Sequence, residues 1–153
     1  MPNGDLFDYI DNPLGAIDEA VAKRLFLQML AGLNFLHQSG RSNRDIKLEN
    51  MLIGSDFKVK MADLGFAKVL EGTNQDGLNE TFLGTPGYMA PEIMEGRPYI
   101  GAAVDIYALG VTLFAMVTKS TPFQPLNKLS QGQSVIASDK LYSLFCLDKE
   151  TYY

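Results

Sequence analysis

The sequence predicts a mainly α-helical domain that carries a small β-hairpin. Three observations favour this fold class. Apolar residues follow helical spacing from Asp18 to Ser39, and the stretch from Val104 to Val117 is almost continuously apolar. Between these two stretches, short apolar segments flank Gly54-Ser55-Asp56, a sequence typical of a tight turn.

The first long helix is predicted between Asp18 and Ser39. Asp18 is a suitable N-cap, because its carboxylate can accept free backbone N–H groups of the first helical turn. Gly40 supplies the stop signal. The positions predicted to form the buried face share a helical spacing, and they are Ala22, Leu25, Phe26, Met29, Leu30, Leu33 and Leu36.

The hairpin is predicted from the segment that follows a polar run. Met51-Leu52-Ile53 forms its first strand, and the second runs from Phe57 to Met61. The second strand alternates apolar and basic residues, which indicates one buried and one exposed face.

The second half of the chain is predicted to be mostly loops and helices. Residues 71–80 are polar with two glycines and predict a mobile loop. The stretch from Val104 to Val117 predicts a buried helix that is too short for a membrane span and carries Asp105 near its start. The other predicted elements are a short helix near Pro91, a loop over 119–134 and a last helix over 138–147.

Composition excludes several classes of protein. A net charge of −5 argues against a nucleic-acid-binding surface and gives no reason to expect attraction to anionic lipid. With one cysteine, Cys146, and one histidine, His37, an internal disulfide or a cysteine-rich zinc site is excluded. No signal peptide opens the sequence, so we expect an intracellular, soluble protein and interpret the glycosylation match at Asn79 as coincidence.

A dense polar run, NRDIKLEN at 43–50, lies between the long helix and the hairpin. Asp63 follows the second strand of the hairpin, which brings it back beside this run. Asn50 and Asp63 offer oxygen ligands that suit Mg²⁺, an ion that shares its coordination shell with substrate phosphates. Lys47 adds a positive charge for a phosphoryl group, and Asp45 can orient or accept the proton of an attacking hydroxyl. The alternative is a solvated loop with a capping aspartate.

These residues give the sequence a resemblance to the C-terminal (large) lobe of eukaryotic protein kinases. NRDIKLEN resembles the catalytic loop, DLG at 63–65 the magnesium-binding turn, APE at 90–92 the end of the activation segment, and DIYALG at 105–110 the start of the central helix. The resemblance implies a kinase that uses ATP and Mg²⁺. It assigns catalytic roles to Asp45, Lys47 and Thr85, and metal binding to Asn50 and Asp63.

Finer features resemble the Ser/Thr branch of the family, in particular the AGC and calcium/calmodulin-dependent groups. Lys47 and the pair Gly84-Thr85 are typical of Ser/Thr kinases, in which this threonine hydrogen-bonds the catalytic aspartate and lysine. TFLGTPGYMAPE resembles the phosphorylated segment of kinases that prefer basic substrates. The resemblance therefore implies phosphorylation of Thr81 by an upstream kinase, with Arg44 as the partner of the phosphate.

The remaining carried-over positions concern the nucleotide and the substrate. Asp5 resembles the acidic residue that holds the ribose or a substrate arginine, although an aspartate there is also a good helix cap. Glu49 resembles a second acidic contact, and Leu52 joins Asp5 and Glu49 among the predicted nucleotide-contacting residues. Asp105 is expected to brace the backbone of the catalytic loop, with a simple N-cap as the alternative.

The sequence also departs from the family pattern. It contains no G-x-G-x-x-G and no lysine before Lys23, so we interpret residues 1–153 as a partial kinase domain without the small lobe and the last C-terminal helices, with the activation segment at 63–92. Asn43 stands where the family has histidine. These departures favour a second hypothesis, a non-catalytic kinase-like binding module. The complete set of Asp45, Lys47, Asn50 and Asp63 favours a Ser/Thr kinase.

Overall fold

A computed structural model describes residues 4–11, 17–70 and 77–122 of the chain. The helices in these ranges are α1 (Leu6–Ile10), α2 (Glu19–Gln38), α3 (Pro91–Met94) and α4 (Gly101–Thr118), and a 3-10 helix spans Leu48–Asn50. The strands are β1 (Arg41–Ser42), β2 (Met51–Ile53), β3 (Val59–Met61), β4 (Lys68–Val69), β5 (Leu78–Asn79) and β6 (Tyr99–Ile100). The predicted helix over 138–147 and most of the predicted loop over 119–134 lie outside the described residues.

Helix α2 forms where the apolar spacing predicts it. The Asp18 carboxylate caps its first turn by accepting a 2.7 Å hydrogen bond from the backbone N–H of Ala20. The predicted inner face is confirmed at Ala22, Leu25, Met29, Leu33 and Leu36, which are buried, and Phe26 is half-buried. The prediction is wrong for Leu30, which remains 38% exposed because it projects about 100° around the helix from Met29.

Helix α4 is the central core helix and packs against α2. It begins at Gly101, three residues before the predicted start, where a Cβ atom would collide with the Ser42 side chain of β1. The prediction that this stretch is too short for a membrane span is wrong for the helix that forms, because Gly101–Thr118 is long and apolar enough to cross a membrane by length and composition alone, a property that core helices share. Half of this segment is buried inside the fold.

The predicted hairpin is confirmed as the antiparallel pair β2–β3, in which Met51 lies opposite Met61 and Ile53 opposite Val59. The second strand is shorter than predicted. Phe57 has a left-handed backbone with φ of +55° and a side chain that is 67% exposed, so it belongs to the connection between the strands.

Two further antiparallel pairs were not predicted. Strand β1 pairs with β4, and β5 pairs with β6. The second pair corrects the predicted mobile loop at 71–80, because Leu78 and Asn79 are held opposite Ile100 and Tyr99. Residues 71–76 of that loop lie outside the described residues. Two-residue strands carry no periodic signal, so only their distant partners identify them.

The main hydrophobic core positions the polar run. It contains residues of α1, α2, β2 and α4, together with Ile46 and Leu48 from within the polar run itself. These two apolar side chains anchor the run from 43 to 50 against the core. The polar residues of the run are therefore held at defined positions.

Candidate active site

One carboxylate of α4 holds the polar run through hydrogen bonds to its backbone. Asp105 is fully buried, and its Oδ2 and Oδ1 atoms accept hydrogen bonds from the backbone N–H groups of Asn43 (2.7 Å) and Arg44 (2.6 Å). The geometry thus favours the predicted bracing role over a simple N-cap. A second partner, which sequence reasoning missed, is His37 at the end of α2. Its Nε2 lies 2.8 Å from Asp105 Oδ2.

The three side chains predicted to be catalytic, those of Asp45, Lys47 and Thr85, contact one another. The Thr85 hydroxyl donates a 2.6 Å hydrogen bond to Oδ1 of Asp45. Lys47 Nζ lies 2.8 Å from the same hydroxyl and 2.9 Å from Oδ2 of Asp45. Asp45 is 5% exposed, so its carboxylate is shielded from water, whereas the Lys47 side chain is 21% exposed. The three groups form a closed triangle in which each polar head contacts the other two.

Asn50 completes the ring of donors around Asp45. Its Nδ2 donates to the backbone oxygen of Asp45 at 2.9 Å and to Oδ2 at 3.1 Å. A carboxylate offers about four acceptor positions. Thr85, Lys47 and Asn50 occupy three of these, which leaves one acceptor position on Oδ1 for a further donor such as a substrate hydroxyl.

The predicted metal ligands lie at the adjoining end of the hairpin. Ala62 donates its backbone N–H to the Asn50 carbonyl oxygen at 2.8 Å. Asp63 is the next residue after Ala62, so this hydrogen bond brings it close to Asn50. The Asp63 side chain is exposed, and its Oδ1 accepts the N–H of Gly65 at 3.2 Å. Amide and carboxylate oxygens are ligand types that suit Mg²⁺, and the exposed carboxylate of Asp63 is accessible to a ligand.

Two backbone outliers mark the same region. Arg44 and Asp63 adopt φ angles of +70° and +53°, a left-handed conformation that side-chain-bearing residues seldom adopt. Such conformations cost about 1–3 kcal/mol and persist only where surrounding contacts hold them. Their presence on both sides of Asp45 is typical of a functional site.

The predicted nucleotide-contacting residues are partly brought together. Asp5 and Leu52 form an isolated antiparallel β-bridge, so the start of α1 lies beside the hairpin. Asp5 is also the N-cap of α1, and its Oδ1 accepts the N–H of Asp8 at 2.9 Å. The cap interpretation of Asp5 is therefore confirmed. Glu49 is exposed on the 3-10 helix.

The two predicted regulatory residues have different environments. Arg44 directs Nε and Nη2 to the backbone oxygen of Phe66, at 2.9 and 2.8 Å. Its Nη1 is buried and has no hydrogen-bond partner within the described ranges. Thr81 is exposed, and its backbone oxygen accepts a 2.9 Å hydrogen bond from the Tyr99 hydroxyl. Sequence reasoning missed this anchor because Tyr99 lies beyond the activation segment.

Burial also bears on the glycosylation match at Asn79. The side chain is completely buried in β5. An oligosaccharide acceptor must be accessible, so the interpretation of this match as coincidence agrees with the fold.

Tyr88 closes the site on the activation-segment side. Burial raises the pKa of Tyr88 to about 12, with a smaller contribution from the negative charge of Glu49, and a backbone hydrogen bond with Leu48 partly opposes the shift. The phenol therefore stays protonated over the whole physiological range and acts as a hydrogen-bonding and packing group.

Comparison with known proteins agrees with the predicted resemblance. The family model described as "Protein kinase domain" matches residues 1–151. The chain is 35% identical over 139 residues to CBL-interacting serine/threonine-protein kinase 19 of Arabidopsis thaliana, covering 91% of this chain and 28% of that protein. It is 40% identical over 136 residues to putative CBL-interacting protein kinase 13 of Oryza sativa subsp. japonica, covering 89% of this chain and 26% of that protein.

A third relative has the same pattern of coverage. CBL-interacting serine/threonine-protein kinase 5 of Arabidopsis thaliana is 35% identical over 139 residues, which cover 91% of this chain and 31% of that protein. The chain thus spans between a quarter and a third of the length of these curated relatives.

Proposed function

The chain belongs to the protein kinase domain family, and from this premise we propose that it is the catalytic region of a protein serine/threonine kinase. The reaction is transfer of the γ-phosphoryl group of ATP to a serine or threonine hydroxyl of a protein substrate. The observation that carries the proposal is the triangle of Asp45, Lys47 and Thr85.

Asp45 orients the substrate hydroxyl and accepts its proton. The acceptor position left on Oδ1 is the place for this hydroxyl, because the other positions of the carboxylate are taken by Thr85, Lys47 and Asn50. As the hydroxyl oxygen forms its bond to the γ-phosphorus, the bond to the bridging oxygen breaks and ADP leaves. The proton moves to Asp45.

Lys47 supplies the positive charge for the phosphoryl group in transit. Its Nζ is held at 2.8 Å from Thr85 and at 2.9 Å from Asp45, so the ammonium group is positioned before substrate binds. Preorganised charge of this kind needs no reorientation during the reaction. Asn50 and Asp63 would hold Mg²⁺, which neutralises charge on the phosphates when it is bound.

The nucleotide and substrate contacts follow from the same arrangement. Asp5 and Leu52, which are joined by a β-bridge, are proposed to contact the nucleotide together. Exposed Glu49 provides an acidic contact for basic residues near the target hydroxyl or for the nucleotide. The substrates proposed are therefore proteins with a serine or threonine near basic residues.

Regulation is proposed to act through Thr81. The side chain is exposed and accessible to an upstream kinase, while Arg44 lies beside Asp45 with one guanidinium nitrogen unpartnered in the described part of the chain. A phosphate on Thr81 would offer Arg44 a bidentate anionic partner. This contact would hold the activation segment against the catalytic loop.

The alternative is a non-catalytic kinase-like binding module, and it is supported by Asn43, which stands where the resemblance implies a histidine. The 153-residue sequence contains no G-x-G-x-x-G to cover the phosphates. Residues 1–153 assayed alone are accordingly expected to transfer phosphate orders of magnitude more slowly than the ~1–100 s⁻¹ of typical kinases, because positioning supplies most of this catalysis.

The experiment joins a small lobe with a Gly-rich loop and an ATP-binding lysine in front of residue 1 and measures phosphate transfer to basic Ser/Thr peptides. We expect Mg²⁺-dependent transfer that Asp45→Asn lowers by at least about 100-fold. Asp56→Asn is the matched control, since Asp56 is exposed and contacts Lys58, whose Nζ lies 3.4 Å from Oδ2 and whose backbone N–H donates to Oδ1 at 3.3 Å. Equal rates for Asp45→Asn and the unmutated chimera would refute the proposed role. A folded chimera that binds protein but not nucleotide would favour the binding module.

A further inference from the structure

We propose that Asn43 is a positioning residue that fixes the orientation of Asp45 through a side-chain hydrogen bond. The inference rests on the proposed function only in the catalytic role of Asp45. Asn43 was identified from the sequence as a departure from the family pattern, without a role of its own.

The hydrogen bond closes a small ring within the catalytic loop. Asn43 is 1% exposed, and its Oδ1 accepts the backbone N–H of Asp45 at 2.9 Å. An asparagine oxygen that accepts the N–H two residues ahead forms an Asx turn, which mimics a backbone turn. The ring encloses Arg44, whose peptide groups are therefore fixed on both sides.

This ring offsets a backbone strain at the centre of the loop. Arg44 has φ of +70°, which disfavours any residue with a Cβ atom. Asp105 holds the N–H of Arg44 at 2.6 Å on one side of the strained residue, and Asn43 holds the N–H of Asp45 on the other. Without the second contact, the Arg44–Asp45 peptide can rotate toward a relaxed conformation, and the Asp45 carboxylate would move away from Lys47 and Thr85.

Only the acceptor half of the Asn43 amide is used. Its Nδ2 is buried and has no hydrogen-bond partner among the described residues, a cost that a packing role alone would not favour. The site therefore requires a short side chain with an acceptor oxygen. Serine meets this requirement, because its hydroxyl oxygen can accept the same bond two residues ahead, and it leaves one donor hydrogen to be placed where the asparagine amide leaves two. Aspartate would place a third buried carboxylate beside Asp45 and Asp105.

The test compares Asn43→Ser with Asn43→Ala, which differ by a single oxygen. In residues 1–153 we expect the Asp45 amide hydrogen to exchange about fivefold faster in Asn43→Ala than in the wild type, and within about twofold of the wild type in Asn43→Ser. Amides of α2, such as that of Leu33, should be unchanged and report that the fold is intact. If Asn43→Ala unfolds, Asn43→Leu, which has a similar branched shape, replaces it.

Asn79 provides the matched control. It is also completely buried, but neither polar atom of its side chain has a partner within the described ranges. The Asp45 amide should therefore exchange at the same rate in Asn79→Ser as in Asn79→Ala. In the small-lobe chimera, Asn43→Ala should lower kcat about fivefold at an unchanged KM for ATP, and Asn43→Ser should recover most of the loss.

The outcomes separate this proposal from the proposed function. Equal Asp45 exchange in Asn43→Ser and Asn43→Ala overturns the positioning role whatever the activity, and so does a difference between Asn79→Ser and Asn79→Ala as large as the one at position 43. The expected exchange pattern in a chimera that transfers no phosphate supports the Asn43–Asp45 contact and refutes the kinase assignment instead.

Discussion

The hydroxyl of Thr85 donates a 2.6 Å hydrogen bond to Oδ1 of Asp45, although 40 residues separate the two in sequence. This contact joins the end of the activation segment to the catalytic loop. Lys47 lies between them and contacts both. A displacement of residues 84–88 would therefore withdraw one hydrogen-bond donor from Asp45 and one acceptor from Lys47 together.

Removal of the Thr85 hydroxyl is expected to lower catalysis. Thr85→Val keeps the shape of the side chain but loses both hydrogen bonds, so kcat of the small-lobe chimera should fall by about 10- to 100-fold. The KM for ATP should change little, since Thr85 acts on Asp45 and Lys47. Thr85→Ser retains the hydroxyl and should keep most of the rate, as measured by steady-state peptide phosphorylation. Similar rates for the valine and serine variants would contradict the role assigned to the hydroxyl.

Asp105→Asn is expected to destabilise the fold by about 3 kcal/mol or more. The wild-type carboxylate accepts two backbone N–H groups of the catalytic loop and contacts His37. In Asp105→Asn, an amide NH₂ group replaces one of these acceptor oxygens. A hydrogen-bond donor would then face the donor with which the oxygen was paired. Denaturant unfolding measures the effect. Asp56→Asn removes an exposed carboxylate and should leave stability nearly unchanged. A comparable loss in both variants would show that the Asp105 contacts add nothing specific.

Phosphorylation of Thr81 is expected to raise the activity of the chimera through Arg44. The phosphate adds about −1.5 to −2 charge and must compete with the Phe66 oxygen for the guanidinium group. Because strand β5 and Tyr99 already hold the neighbourhood of Thr81, less chain remains to be ordered than in a free loop. We expect a partial shift in population, measured as kcat/KM with and without the phosphate.

The controls for this switch are three variants. Thr81→Ala should match the unphosphorylated rate, and Arg44→Ala should abolish the gain from the phosphate. Lys58→Ala removes an exposed cation and should preserve that gain. If the phosphate acts equally well in Arg44→Ala, the contact between Arg44 and phosphorylated Thr81 is not the mechanism.

Tyr88 is expected to make stability fall at alkaline pH. Its pKa in the folded protein is about 12, against 10.0 for an unperturbed tyrosine, chiefly because the phenol is buried. The folded state therefore holds this proton more tightly than the unfolded state does, and the stabilisation is complete below pH 10. It is lost as pH rises from 10 towards 12, at a cost of about 2–3 kcal/mol.

The measurement for Tyr88 is the free energy of unfolding between pH 9 and pH 12. In Tyr88→Phe the free energy of unfolding should decrease less over this pH range than it does in the wild type. Tyr9→Phe, in α1 at a position 42% exposed, provides the control and should follow the wild-type curve. A Tyr88→Phe curve parallel to the wild type would show that another group is responsible for the alkaline loss.

Local sequence signals predicted the elements whose information lies within them. The Asp18 cap and the apolar spacing from Ala22 to Leu36 predicted α2, and the alternation around Lys60 predicted the β2–β3 hairpin. Each signal is a property of neighbouring residues, so it survives without knowledge of the fold. The ordered motifs likewise predicted which residue types carry the chemistry, with Asp45 first among them.

Tertiary structure alone decided how those residues are held. Strand β5 lies in a segment predicted to be a loop, because two residues are too few to show a periodic pattern. Its pairing with Tyr99 and Ile100 is what defines it as a strand. The Asx turn of Asn43 and the clamp of His37 on Asp105 likewise depend on distances that no sequence pattern encodes. Propensity and periodicity act over a few residues, so the sequence was enough to predict α2, α4, the β2–β3 hairpin and the chemical groups of the site. The orientation of Asp45 was decided by packing between segments 40 to 62 residues apart, since buried polar groups must find their partners wherever the fold places them.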